Sequence, residues 1–187
     1  IHEASKSREK GINQAIQAAN GELIAFFDGK SFAEAGCLEA HEQRHQKLPE
    51  HAGIFGMVDV SSSSDFGDWF REQVHNHRMF EPLIPRLGPV ANTVRLKPSL
   101  IWTFNNTSIK RHALEEVGLI DSNWHSGIEA YDYGCRLESK GHFLAYVGKA
   151  KVTTVAYQSY DSFCEDWRNR QKLYALYSFQ HPSAGGS

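Results

Sequence analysis

The chain has 187 residues, 41% of them hydrophobic, and a formal net charge of -2. That length and apolar content suit one globular domain with its own core, and the near-neutral charge gives no pull towards nucleic acid or an anionic membrane. No apolar run approaches the ~20 residues of a membrane span and no signal peptide is visible; Cys37, Cys135 and Cys164 are far apart with no Cys-x-x-Cys pair, as suits reduced thiols in a cytoplasmic protein.

In chain order, Ile12, Ala15, Ile16, Ala18 and Ala19 recur at helical spacing and predict a helix over 3–20, stopped by Asn20-Gly21. The unbroken apolar run from Leu23 to Phe27 predicts a buried strand over 22–28. A second helix is expected over 31–46, with Pro49 beyond it, then a strand over 51–60 around Ile54-Phe55-Gly56-Met57-Val58. Ser64 or Asp65 caps a helix through Phe66, Trp69, Phe70 and Val74. Pro82, Pro85, Pro89 and Pro98 make 79–99 an irregular excursion of the kind that often lines a site. A strand is expected over 100–104, a short helix over 108–117 closed by Gly118, a loop over 121–127, and a helix over 128–140 stopped by Gly141. Two strands, 142–147 and 150–157, and an amphipathic helix over 162–179 follow. Alternating strands and helices argue for an α/β domain over 1–180; residues 181–187 read as a flexible, linker-like tail.

The first site candidates come from the turn after the first strand. In open α/β sheets ligands bind beyond the carboxyl ends of strands, which singles out Asp28, Lys30 and Ser31, although Asp28-Gly29 is also an ordinary strand-ending turn. The ten histidines suggest metal binding at first sight. His41 and His45, however, fall in a very polar segment that reads as a solvated helix face, and His75 and His77 lie two residues apart and point to different faces. No glycine-rich phosphate turn and no nucleophile elbow is present.

Three segments taken together carry a resemblance. Arg8-Glu9-Lys10-Gly11-Ile12, leading to Gly21-Glu22-Leu23-Ile24-Ala25-Phe26-Phe27-Asp28, looks like the helix and strand that precede the Asp-x-Asp motif of family 2 glycosyltransferases. The run from Asn106 to Asp121, with Arg111, Ala113-Leu114-Glu115 and Gly118, is similar to that family's Asn-x-x-x-Arg-Arg-x-Ala-Leu-Glu-x-x-Gly-Gly-Phe-Asp. Gly127-Ile128-Glu129, continuing to Arg136-Leu137, resembles its Gly-Glu-Asp-x-Glu-Leu-x-x-Arg-Leu. Order and spacing agree over most of residues 7–180.

The resemblance implies a GT-A fold: a Rossmann-like, mainly parallel sheet flanked by helices, here N-terminally incomplete because the uridine-gripping strands have no counterpart before Glu3. It implies transfer of a sugar from a nucleotide-diphosphate donor to an acceptor hydroxyl of a glycan or other molecule. Asp28, Lys30 and Asn106 would bind the donor, Glu129 or Asp132 would act as base, and Trp124 and His125 would meet the acceptor. For Trp124, stacking on a sugar and covering the core remain equal alternatives.

Departures from the motif matter here. Lys30 replaces the second aspartate, so of the family's paired metal ligands for Mg²⁺ or Mn²⁺ only Asp28 remains, and the Lys30 ammonium would stand in for the metal. Ala130 replaces the acid after Glu129, and Tyr157 or Gln158 stands where a histidine often follows the last strand. The alternative reading is an inactive GT-A-like domain that binds a glycan or a protein, and an exposed sheet edge would suit an oligomer or a completing partner segment.

Overall fold

The computed structural model describes residues 7–62, 64–76, 95–155 and 159–181. Helix α1, Arg8–Ala18, starts where the Ser7 hydroxyl accepts the Lys10 N–H, and the apolar run that follows is strand β1, Leu23–Phe26. Past the Asp28 turn come β2, Ser31–Ala33, and α2, Cys37–His45. Strand β3, Ala52–Ser61, leads into α3, Asp65–Asn76, where the Ser64 hydroxyl accepts the Gly67 N–H at 3.0 Å. A short helix α4, Pro98–Ile101, precedes β4, Thr107–Lys110, which runs directly into α5, Arg111–Val117. Helix α6, Ile128–Ser139, strand β5, Phe143–Val155, and helix α7, Tyr160–Gln180, complete the order.

The strands form one sheet in the order β1-β4-β3-β5-β2. Strands β1, β3 and β5 run one way and β4 and β2 the other, so among the described residues the one parallel pairing is the long one between β3 and β5. The α/β architecture is as expected, but the mainly parallel sheet is corrected to a mixed one. The cause lies in the connections: the chain enters β4 beside the carboxyl end of β1 and leaves it at Arg111, whose N–H meets the Glu22 carbonyl at 2.8 Å. That path forces β4 to run against β1.

Strand alternation divides the apolar residues between two faces. Ile24, Phe26, Ile109 and Leu144 point to the face covered by α1, α5 and α6, where Phe26, Trp102, Phe104 and Tyr133 pack edge to face and tilted at ring separations of 5.3–5.8 Å. Ile54, Val147 and Val152 belong to the other face with Cys37 of α2. Ser108 lies in the same sheet row as Ile54 and therefore also faces α2. Between Gly56 and Met57 the β3–β5 register jumps by three residues, so Gly148, Lys149 and Ala150 bulge out of β5.

Five expected elements differ. Residues 31–46 split into β2 and α2 because Gly36, at φ +80°, interrupts them. The strand expected over 100–104 is α4 and a loop, since Pro98 pre-sets the helical φ at the start of α4. Residues 107–110 are a strand rather than the first turns of a helix, and the two last strands are one bulged strand. Residues 77–94, which take in His77 and most of the excursion over 79–99, lie outside the described residues, as do Tyr157, Gln158, residues 1–6, the tail 182–187 and the side chain of His75.

A Cβ at Gly56 would run into the Ala150 carbonyl and the Asn106 amide, neither of which has room to retreat. Gly56→Ala is therefore expected to destabilise by about 2–3 kcal/mol, read as a lower urea midpoint. Gly29→Ala, where a Cβ meets nothing within 4 Å, should stay within about 0.5 kcal/mol of the parent or gain slightly.

Candidate functional site

Asp28 follows β1 at the sheet end shared by the carboxyl ends of β1, β3 and β5. Its Oδ1 accepts the Lys30 N–H at 2.8 Å, an Asx turn, and its own N–H donates to Asn105 Oδ1 at 3.3 Å. The carboxylate thus shapes the turn, and the turn presents Gly29 and Lys30 to solvent. These two bonds bring Asp28, Lys30 and the 105–106 segment together.

Asn106 sits beside them but is fully buried, with the left-handed φ of +52°. Its Nδ2 donates to the Met57 carbonyl at 2.7 Å and the Ala150 carbonyl at 2.8 Å, which ties both sides of the β3–β5 bulge. Its Oδ1 accepts from His41 Nε2 at 3.0 Å and from the Cys37 thiol at 3.6 Å, and its carbonyl accepts the Gly56 N–H. No polar atom of this side chain is left for a donor, so its contact with the site runs through the backbone and Asn105.

The solvated face expected for α2 is corrected. His41 is 1% and His45 5% exposed, and both rings bond Ser108 Oγ, His41 through Nδ1 at 2.7 Å and His45 through Nε2 at 2.9 Å. Burial holds His41 below its usual value. Burial, with help from His41 and Lys110, pushes His45 down to about 4. Burial, then Glu34, pushes the Cys37 thiol up. The signal in the sequence was Cys37, His41 and His45 repeating every four residues beside Ala40, a stripe that a buried helix face produces as readily as a solvated one.

Glu129, in the first turn of α6, is fully buried; Oε1 pairs with Arg8 Nη1 at 2.5 Å and Oε2 accepts the Gly127 N–H at 2.7 Å. Because α1 runs against β1, this ion pair brings the start of α6 to the same sheet end as Asp28. Asp132 is 8% exposed and also fully engaged, by Arg136 Nε at 2.9 Å and the Tyr177 hydroxyl at 3.1 Å. Burial first, and then Asp132, hold the Tyr177 hydroxyl well above the usual phenol range. Trp124 is 6% exposed and packs edge to face on Tyr177 at 5.0 Å, with Ile128 in the same cluster. Of its two alternatives it covers the core, and the expected stacking on an acceptor is not available to it. His125 is exposed, next to Ser126 at φ +54° and Gly127 at φ +94°.

Among the described residues, no three His, Cys, Asp or Glu side chains are grouped to hold a metal ion. At the Asp28 turn the donor set is one carboxylate, already accepting a backbone N–H, beside an ammonium. Mg²⁺ and Mn²⁺ need several oxygen ligands, and this set does not fit them. Among the described residues no helix is long and apolar enough to cross a membrane.

No protein-family profile matches the sequence, and no curated protein does. Among solved structures, the crystal structure of GalNAc-T7 with UDP, GalNAc and Mn²⁺ matches with a TM-score of 0.55 at 14% sequence identity, over 82% of this chain. This chain spans 31% of the length of that one. The likeness is one of fold, and it makes the domain a GT-A-like α/β fold.

Two outcomes test this geometry. Below pH 6.5 the unfolded chain takes up a proton at position 45 before the folded one does. Stability from His45 is therefore complete above 6.5 and lost as pH falls towards 4, about 3 kcal/mol in all. Urea titrations at stepped pH should show this slope, reduced in His45→Gln. Arg8→Ala leaves the Glu129 carboxylate buried without its cation; since Arg8 is half exposed, the expected cost is about 1–2 kcal/mol, with clear coupling to Glu129→Gln in a double-mutant cycle.

Proposed function

We propose that the chain is a GT-A-type sugar-transfer domain that binds the diphosphate of a nucleotide-sugar donor at the Asp28–Lys30 turn. The observation that carries this reading is the exposed Lys30, held by an Asx turn at the shared carboxyl end of three strands in a GT-A-like sheet. A departing nucleoside diphosphate gains negative charge as the anomeric C–O bond breaks. The Lys30 ammonium offsets that charge as a point charge where an ion would otherwise sit.

In this reading the acceptor hydroxyl attacks the anomeric carbon and gives up its proton to a base. Glu129 takes that role once Arg8, half exposed and free to swing outward, leaves its Oε1. Asp132 stays bound to Arg136 and Tyr177 as the anchor between α6 and α7, and exposed His125 lies on the acceptor side. No step is routed through a divalent ion.

The occupied oxygens of Glu129 and Asp132 favour a second reading, a catalytically silent GT-A-like module that binds a glycan or protein. A thermal-shift panel of UDP-, GDP- and dTDP-sugars, paired with donor hydrolysis, separates the two. A cognate donor at ~100 times its Kd should stabilise by about 2.7 kcal/mol, or roughly 5–10 °C at this size. Lys30→Ala should weaken nucleoside-diphosphate binding about tenfold, roughly 1.4 kcal/mol, and EDTA should change nothing. Binding with no hydrolysis supports the silent module; a strong metal requirement contradicts the Lys30 role.

A further inference from the structure

Asn106 fixes the direction of every hydrogen bond beneath the Asp28 turn. Its Nδ2 is committed to two carbonyls, so the amide cannot be flipped, and the His41 Nε2 that meets Oδ1 must carry a proton. The neutral His41 ring then has a bare Nδ1, which accepts the Ser108 hydroxyl proton. Ser108 Oγ is left to accept the His45 Nε2–H. His45 Nδ1 is consequently bare, and it is buried with no hydrogen-bond partner.

This chain touches the site at two points. The His41 ring lies edge-on to Phe27, at 6.3 Å and 86°, and Phe27 directly precedes Asp28. Asn106 directly follows Asn105, whose Oδ1 accepts the Asp28 N–H. We infer that the His45–Ser108–His41–Asn106 chain is a proton-sensitive latch: it positions the Asp28–Lys30 turn while both imidazoles are neutral and releases it when either gains a second proton.

The release follows from the donor count. A proton on His41 Nδ1 would set N–H against the Ser108 hydroxyl, which would have to turn its own proton away. A proton on His45 Nδ1 would place an N–H where no acceptor stands. The surrounding charges do little to help. Lys110 of β4 opposes a charge on His45 and Glu50 favours it, but these two pair with each other; Glu34 faces the Cys37 thiol at the start of α2. Among the described residues no carboxylate bonds either ring. Burial pushes both imidazoles down, which keeps the latch closed at neutral pH.

The consequence for donor binding rests on the function proposed above; the latch itself does not. The test follows histidine-ring and backbone amide resonances by NMR from pH 7 towards pH 4. It uses the Asp28→Asn background, which removes that carboxyl's own titration, with and without His45→Gln, whose amide keeps the donor to Ser108 but cannot take the extra proton. The latch predicts that the Phe27 and Lys30 amides share the midpoint of whichever ring, His41 or His45, takes its second proton first, and that His45→Gln removes any amide step that tracks the His45 ring while sparing one that tracks His41. Amides that stay flat while both rings titrate, that keep in His45→Gln a step not shared with the His41 ring, or that move only with global unfolding would overturn it. In the unsubstituted protein, UDP affinity by calorimetry should fall with the same midpoint. Absence of UDP binding at every pH would count against the donor reading, and the amide titration would still decide the latch.

Discussion

One carboxamide holds the architecture together. Asn106 closes the β3–β5 bulge from below, receives α2 through His41 and Cys37, and takes the left-handed conformation that turns the chain into β4. A buried polar group with every donor and acceptor matched specifies one arrangement, because any slip leaves several partners unsatisfied at once. Gly56 is the other half of the same joint, since only a residue without a side chain lets the amide reach both carbonyls.

Around that joint the charged residues divide into those committed to structure and those left for chemistry. Glu129 and Asp132 hold α6 to α1 and α7, each with both oxygens on protein partners. Lys30 and His125 remain exposed. The sheet end that gathers the Asp28 turn, the 105–106 segment and the start of α6 therefore carries one exposed ammonium beside the Asp28 carboxylate, and its buried acids lie in ion pairs or under hydrogen bonds.

Legibility in the sequence followed the strength of local pattern. β1 and β3 show as apolar runs, and α3, α6 and α7 show helical periodicity, α3 with the Ser64 cap on Gly67 that the structure retains. β4 was hidden because Thr107–Lys110 is four residues long and continues without a break into α5, so its period merges with the helix. β2 was hidden because its three residues gain strand character only from β5 across the sheet. Asp28 and Lys30 could be picked out from position alone, after a strand. The roles of Asn106, Trp124 and the α2 histidines could not, because burial and partner identity depend on tertiary contacts with residues 44 to 69 positions away in the case of Asn106.

Binding of a nucleoside diphosphate at the Asp28–Lys30 turn is tested by chemical-shift mapping of the isotope-labelled protein during titration with UDP, without metal. The largest saturable shifts are expected at residues 27–31 and 105–106. Shifts centred instead on Glu50, His112 and His142 at the opposite end of the sheet, or none at saturating ligand, would contradict it.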